Sequence, residues 1–306
     1  MKTTHKQQRR ARILLAIAPL FTALGLFLAT QVHADDIVQV QTQGSGQDVV
    51  LIPGLMSDAS VWQGTAARLA AHYKVHILSI AGFGENPANP QLQQQFLDPV
   101  TKAINRYLQQ HTQRPVVVGH SLGGTLTYKL AIEHPQSLRC GVSVDGVPFL
   151  PALMMRNADV TVAMMKPQAQ QMRAAFTHLS QQQLRQQAQQ GVAIQATSQQ
   201  DQQKVLALAE QSDPQTAGQA MYALMVNDLR DNLAAIQVPM LQMAATGGFS
   251  ERAQQQHALQ LYREQIAGNP NIQLLEFANA RHFIMWDQPQ KFVQQLNHFI
   301  KEACHE

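Results

Sequence analysis

A serine closely flanked by glycines is the residue of this chain best placed for nucleophilic chemistry. Ser121 lies in the hexapeptide GHSLGG at 119–124, which follows the short apolar run 115–118 and precedes a leucine pattern that ends at Pro135. A G-x-S-x-G sequence between a strand and a helix predicts a nucleophile elbow, a turn so tight that its flanking side chains must be nearly absent. A serine hydroxyl attacks when a neighbouring base accepts its proton, so a base and groups that orient it are required.

Strand and helix patterns alternate along most of the chain, and they must position these groups. Short apolar runs predict strands at 37–41, 49–52, 75–80, 115–118, 138–144, 238–245 and 272–277. This alternation predicts an α/β fold with a mostly parallel, doubly wound sheet. The interval 149–227 breaks the alternation because it has helical and polar patterns without a strand signal. It predicts a helical lid over the carboxyl ends of the strands, where pockets of such sheets lie.

Three stretches resemble the α/β-hydrolase superfamily: Pro-Gly-Leu at 53–55, GHSLG at 119–123 and Ala-Arg-His-Phe at 280–283. The resemblance extends over nearly everything from 49 to 300 and implies the α/β-hydrolase type of sheet with a lid. It divides the chain into a first part of the core at 35–148, the lid at 149–227 and a second part of the core at 228–306. It implies a serine hydrolase that needs no cofactor and cleaves an ester or thioester of a small-molecule acyl substrate through an acyl-enzyme.

The resemblance also implies roles for individual residues. Ser121 is the nucleophile, and His282 is the base, because it follows the last predicted strand where the family's histidine lies. The backbone N–H groups of Leu122 and Leu55 form the oxyanion hole. The family usually has His-Gly where this chain has Pro53-Gly54, but the donor is a backbone group, so we expect the oxyanion hole to survive this difference.

The acid that orients the histidine is the least certain member of the site. Most of the family carries it after the strand equivalent to 238–245, but no aspartate follows that strand here and the usual position falls near Gly248. Asp145, Glu251 and Asp228 compete. Asp145 is our prediction, since it follows the strand next to the elbow strand, where a minority of α/β-hydrolases, including lipases resembling pancreatic lipase, place their acid. Glu251 is expected in the first turn of a helix and Asp228 in a salt bridge or helix cap.

The lid sequence is rich in methionine, which suits an adaptable apolar wall. Met154, Met155 and Phe149 are therefore the predicted substrate-binding residues, and the preferred substrates are predicted to carry acyl chains of short to medium length. The alternative is an amphipathic pair of helices that simply packs on the core.

Composition excludes several classes of function. The chain has 306 residues, 45% of them hydrophobic, which suits one large domain. Its net charge is +3, but five basic residues lie in the first twelve positions, and no basic stripe indicates nucleic acid. Only Cys140 and Cys304 occur, too few for a disulfide framework or a cysteine-based metal site. Cys140 falls in a predicted strand and is predicted to be a small core residue.

Residues 1–34 have the pattern of a secretory signal peptide. A basic segment precedes the apolar run 13–29, and Val-His-Ala at 32–34 matches a small-x-small cleavage site. We predict cleavage after Ala34, export to the periplasm or the medium, and no stable membrane anchor in the mature chain. The alternative is an uncleaved anchor, because the apolar run is about long enough to span a membrane.

Two other functions remain compatible with the sequence. A non-catalytic binder or receptor could keep the fold and use the lidded pocket for a ligand, and the missing acid after the strand 238–245 favours it. A lyase or perhydrolase could use the same three side chains. A complete set of nucleophile, base and acid would favour the enzyme over the binder.

Overall fold

An eight-stranded sheet carries the fold in the computed structural model, which describes residues 30–33 and 36–305. The strand order is β1-β2-β4-β3-β5-β6-β7-β8. β1 and β2 pair antiparallel to their neighbours, and all other strand pairs are parallel. The strands are β1 Thr30–His33, β2 Val38–Gly44, β3 Gln47–Ile52, β4 Tyr73–Ile80, β5 Val116–His120, β6 Cys140–Val144, β7 Met240–Ala245 and β8 Ile272–Phe277.

The central strands are buried on both faces, as their uninterrupted apolar runs predict. Every residue of β5 and β6 is buried, and the same holds for 49–52 at the end of β3. Helices cover the two faces and create two large apolar clusters, one on each side of the sheet. The predicted α/β fold with a mostly parallel sheet is therefore confirmed.

Within the described residues, six helices pack on the sheet. They are α1 Gln63–Leu69, α2 Leu97–His111, α3 Leu122–Glu133, α9 Arg252–Ile266, α10 Ile284–Asp287 and α11 Pro289–Ala303. Short 3₁₀ segments lie at Ala59–Trp62, Pro135–Ser137 and Arg230–Ala235. The parallel strands expose their carboxyl ends at one edge of the sheet, and the loops that follow β3, β5, β6, β7 and β8 meet there.

Between β6 and β7 the described chain is helical. The helices are α4 Leu150–Met154, α5 Val162–Phe176, α6 Gln181–Gln195, α7 Gln199–Gln211 and α8 Pro214–Val226. α5 packs against α8 and α6 against α7. Each of the last four helices follows an N-cap residue whose side chain accepts a hydrogen bond from a backbone N–H of the first turn. These N-cap residues are Thr161, Ser180, Ser198 and Asp213. We call these five helices the lid.

The two cysteines form a disulfide, which the sequence did not predict; Cys140 is buried in the core, as expected, but it is bonded to a partner. Cys140 at the start of β6 is bonded to Cys304, which follows α11, with their Cα atoms 5.6 Å apart. Sequence spacing could not reveal this pair, because the two residues are 164 positions apart and only the packing of α11 beneath the sheet brings them together. The bond lies at the amino end of β6, opposite the edge that carries the site.

Most of the predicted signal peptide falls on residues 1–29 and 34–35, outside the described residues. β1 belongs to the segment predicted to be removed, so cleavage after Ala34 would leave β2 at the edge of the sheet. None of the helices within residues 36–305 is long and apolar enough to cross a membrane.

Candidate active site

The turn between β5 and α3 has the geometry that its sequence predicts. Ser121 has a left-handed backbone, with φ 54° and ψ −116°, and its N–H donates to the Val144 carbonyl at the end of β6. A Cβ added to Gly119 would lie 1.9 Å from the Gly123 carbonyl oxygen, and one added to Gly123 would lie 2.4 Å from the Ile52 carbonyl oxygen. The glycines are therefore required, because any side chain there would overlap the backbone of the elbow or of β3.

Asp145 follows β6 directly and ends beside His282. Its carboxylate Oδ2 lies 2.6 Å from His282 Nδ1. Its other oxygen, Oδ1, accepts from the backbone N–H of Ala245 at 2.7 Å and from the hydroxyl of Tyr262 at 2.6 Å. The Asp145 side chain is only 9% exposed, so these three donors satisfy a carboxylate that has little access to water.

Tyr262 reaches the acid from the buried face of α9. Burial, and the negative charge of Asp145, raise the pKa of its phenol well above the ordinary value of 10.0. The hydroxyl therefore keeps its proton at neutral pH and donates it to the carboxylate. Its neighbour Leu261 marks the apolar face of the helix in the sequence, but only the packing of α9 shows that the hydroxyl meets Asp145.

His282 lies in the loop between β8 and α10, and the end of lid helix α6 holds that loop. The N–H groups of His282 and Phe283 donate to the carbonyls of Ile194 and Gln195, at 3.4 and 2.9 Å. The guanidinium of Arg281 donates to the carbonyls of Ala193 and Ala196. The carbonyls at the end of a helix lack intrahelical partners, and here the histidine loop supplies donors for them. The lid thus fixes the position of His282.

His120 lies against His282 and contributes to the lining of the cavity. Its ring is buried, and Nε2 donates to the His282 carbonyl at 3.1 Å. Burial, together with the neighbouring His282, lowers the pKa of His120 well below 6.5, so the ring is neutral. This contact with the histidine loop was not foreseen from sequence, because the two residues are 162 positions apart.

The two predicted oxyanion donors are backbone groups at the edges of the same space. Leu122 is the first residue of α3, so its N–H has no acceptor within the helix. Leu55 lies in the loop after β3 and lines the cavity that contains Ser121. Within the described residues, neither N–H donates to another backbone carbonyl.

A cavity of about 910 Å³ joins these groups to the lid. Ser121, His282 and Asp145 line it, and apolar side chains of the lid form one side of it, among them Leu153, Met172, Phe176, Met221 and Leu224. Met154 lines the cavity as predicted, with 49% of its surface exposed. A second, smaller cavity beside β2 contains none of these side chains.

Two predicted substrate-binding residues are wrong. Phe149 is fully buried in the small core of the lid, with the Arg230 guanidinium 4.7 Å above its ring, and it does not line the cavity. Met155 is 53% exposed and also lies outside the cavity lining. The composition of the lid cannot tell an inward from an outward side chain, because that depends on how the short helix α4 is placed on the core.

The competing carboxylates lie away from His282. Asp228 forms an ion pair with Arg230, at 2.6 Å, as predicted. That guanidinium also donates to the carbonyls of Ala158 and Val160, which ties the lid to the core. Glu251 is the exposed N-cap residue of α9 rather than part of its first turn, and it does not line the cavity.

A sequence profile of the alpha/beta hydrolase family matches residues 49–295. The chain belongs to the alpha/beta hydrolase family. It is 27% identical over 270 residues to the pimeloyl-[acyl-carrier protein] methyl ester esterase of Aeromonas hydrophila, covering 86% of this chain and 99% of that protein. It is 30% identical over 212 residues to the protein of the same name from Vibrio cholerae, covering 66% of this chain and 76% of that protein.

Solved structures of the family share the fold of this alpha/beta hydrolase. An esterase from Exiguobacterium antarcticum superposes with a TM-score of 0.71 at 20% identity, over 90% of this chain and all of that chain (100%). An enol-lactonase from Burkholderia xenovorans superposes with a TM-score of 0.66 at 19% identity, over 87% and 96% of the two chains. With its esterase relatives, these likenesses identify the chain as a hydrolase, consistent with action on carboxylic esters.

Proposed function

We propose that this hydrolase is an exported serine esterase that cleaves a carboxylic ester or thioester through an acyl-enzyme. The observation that carries the proposal is the 2.6 Å contact between His282 Nδ1 and Asp145 Oδ2 in the cavity that also contains Ser121. A charged acceptor at Nδ1 keeps the proton on that nitrogen, so Nε2 is left free to accept a proton from the nucleophile.

In the proposed first step, the Ser121 oxygen attacks the carbonyl carbon while its proton passes to His282 Nε2. The Ser121 hydroxyl has no hydrogen-bond partner within the described residues, so its proton is not committed to another acceptor. The base and the nucleophile often approach each other closely only when substrate is bound. Asp145 stabilises the imidazolium that forms.

The negative charge on the carbonyl oxygen is then met by the N–H groups of Leu55 and Leu122. Collapse of the tetrahedral intermediate returns the proton from His282 to the leaving alcohol or thiol and leaves an acyl group on Ser121. Water repeats the sequence, with His282 again as base, and releases the carboxylic acid. Preorganised donors of this kind contribute about 3–4 kcal/mol each in a well-studied protease.

A fluorophosphonate probe tests the nucleophile directly. We expect labelling of the folded wild type and none of Ser121→Ala, whose circular dichroism spectrum should be unchanged. Absence of labelling in the folded wild type, or equal labelling of Ser121→Ala, would count against catalysis by Ser121 and favour a non-catalytic binder.

Export is the second part of the proposal. The signal-like pattern at 1–34 supports it, and so does the Cys140–Cys304 disulfide, because such bonds persist in oxidising compartments. The intact mass of the protein recovered from the periplasm or medium decides where the chain begins. A mature protein that still carries residues 1–34 would show that the pattern is not a cleaved signal.

The lid side of the cavity supports an apolar acyl chain of short to medium length as the substrate. A series of p-nitrophenyl esters of increasing chain length measures this preference. We expect kcat/KM to pass through a maximum within the series, and a flat profile would mean that the lid side chains only pack.

A further inference from the structure

Arg156 is a charged side chain of the cavity wall whose guanidinium makes no hydrogen bond or ion pair within residues 36–305. Asp145 is held by His282 and Tyr262, and the guanidinium of Arg281 donates to two carbonyls at the end of α6. Arg156 lines the cavity and has no carboxylate within ion-pair distance in that part of the chain. Its guanidinium therefore has donors that are free to meet a ligand.

The backbone holds Arg156 at the point where the lid leaves the core. The residue follows α4 in a left-handed conformation, with φ 51°, and its N–H donates to the Leu153 carbonyl at 3.2 Å. The next residue, Asn157, donates to the Ala152 carbonyl at 3.0 Å. This left-handed conformation costs on the order of 1 kcal/mol for a residue with a side chain, and it fixes where the Arg156 side chain leaves the backbone.

From this turn the side chain crosses to the opposite wall of the cavity. The guanidinium carbon lies 5.0 Å from the centre of the Phe249 ring, and Phe249 belongs to the loop between β7 and α9. Stacking of this kind orients a guanidinium and leaves its edge free for bidentate hydrogen bonds. Gln254 and His257 also line the cavity, so polar side chains accompany Arg156 in its wall.

Gly248 leaves room beside this wall. A Cβ added to Gly248 would meet nothing within 4 Å, and the residue lines the cavity next to Phe249. The proposed acid of this chain, Asp145, follows β6 instead of lying in this loop, so no carboxylate at 248 opposes an anion in that space.

We propose that Arg156 is an anion subsite, so that this enzyme prefers esters whose apolar chain carries a carboxylate or a phosphate. A guanidinium suits either group, since both accept two parallel hydrogen bonds. The apolar part of such a substrate contacts the lid side of the cavity and its anionic end contacts Arg156 at the Phe249 wall. The inference rests on the proposed esterase function, because it assigns a specificity to the same cavity.

Matched pairs of esters test the subsite. Each pair consists of a neutral fatty-acid methyl ester and the monomethyl ester of the dicarboxylic acid of equal chain length. A methyl ester with an ω-phosphate is measured as a third compound, because it distinguishes a preference for carboxylate from a preference for phosphate. We expect wild type to favour at least one anionic ester by about tenfold in kcat/KM, as a charge-assisted hydrogen bond allows. Arg156→Gln should lose that preference, so that the ratio of kcat/KM on the anionic ester to kcat/KM on the matched neutral ester falls to about one.

Two further variants separate the subsite from general effects of charge. Arg156→Lys keeps the charge without the bidentate fork and should retain only part of the preference. Arg185→Gln removes a half-buried lid arginine that pairs with Glu210 at 3.2 Å and lies outside the cavity lining, so the preference should be unchanged. If Arg156→Gln lowers activity on neutral and anionic esters equally, or changes neither, Arg156 only stacks on Phe249 and the proposal is wrong.

A binding measurement distinguishes failure of the subsite from failure of the esterase function. If wild type hydrolyses no ester and is not labelled by fluorophosphonate, the esterase proposal fails. The subsite is then tested by the thermal shifts that monomethyl suberate and neutral methyl octanoate cause. A larger shift with monomethyl suberate that is lost in Arg156→Gln supports the subsite. Equal shifts with monomethyl suberate in wild type and Arg156→Gln overturn it.

Discussion

Replacing Asp145 by asparagine should reverse the tautomer of His282. The backbone N–H of Ala245 and the hydroxyl of Tyr262 both donate to Oδ1, and the Ala245 donor cannot turn away. The amide oxygen of the introduced asparagine must therefore occupy the Oδ1 position, which places its NH₂ group at the Oδ2 position against His282 Nδ1. That nitrogen would then accept, the proton would move to Nε2, and the ring could no longer accept the proton of Ser121.

The expected size of the loss is large. The equivalent change in a serine protease lowers kcat by ~10⁴ through the same inverted tautomer. At ~1.36 kcal/mol per factor of ten, this is about 5.4 kcal/mol of transition-state stabilisation. The free energy of unfolding should change by only about 1 kcal/mol, because the isosteric amide keeps both bonds to Oδ1 and exchanges one hydrogen bond for another.

Steady-state kinetics on a p-nitrophenyl ester and urea unfolding measure the two quantities. Glu251→Gln and Asp228→Asn are the matched controls. The first should leave both quantities unchanged, and the second should lower stability through the lost pair with Arg230 while kcat stays within about twofold. If Asp145→Asn retains more than about a tenth of the wild-type kcat, or if Glu251→Gln loses as much, the assignment of the acid is wrong.

Three further predictions concern Tyr262, the disulfide and His120. Tyr262→Phe removes one of the three hydrogen-bond donors to Asp145 and should lower kcat by about tenfold with KM unchanged. An unchanged kcat would show that the Ala245 N–H alone positions the Asp145 carboxylate. Cys304→Ser should lower the free energy of unfolding by about 2–4 kcal/mol in urea without changing kcat, because the bond closes a long loop far from the site; insensitivity of the wild type to dithiothreitol would contradict this. Burial lowers the pKa of His120 below 6.5. Below pH 6.5 the unfolded chain therefore binds a proton that the folded chain does not. The free energy of unfolding should fall as the pH decreases below 6.5, by up to ~1.4 kcal/mol per pH unit. His120→Gln should reduce that slope, and an identical slope in the variant would contradict the reasoning.

Local sequence determined the elbow and the fold class of this protein. The overlap that any side chain at Gly119 or Gly123 would create is a property of the turn itself, so the pattern around Ser121 suffices to predict it. Buried parallel strands must be apolar along their whole length, and the runs that become β3, β5 and β6 show this directly. The position of Asp145 directly after a predicted strand also placed it at the same edge of the sheet as Ser121, since the carboxyl ends of parallel strands meet there.

Only the tertiary structure decided which groups surround the acid and which side chains face the cavity. Tyr262, Ala245 and His282 reach Asp145 from positions 100 or more residues away, and no local pattern encodes such contacts. Phe149 and Met154 lie five positions apart with similar apolar character, yet one is buried in the lid and the other lines the cavity. The direction of a side chain depends on how a helix is placed on the core, and that placement is settled by the packing of the whole chain rather than by the residues of the helix.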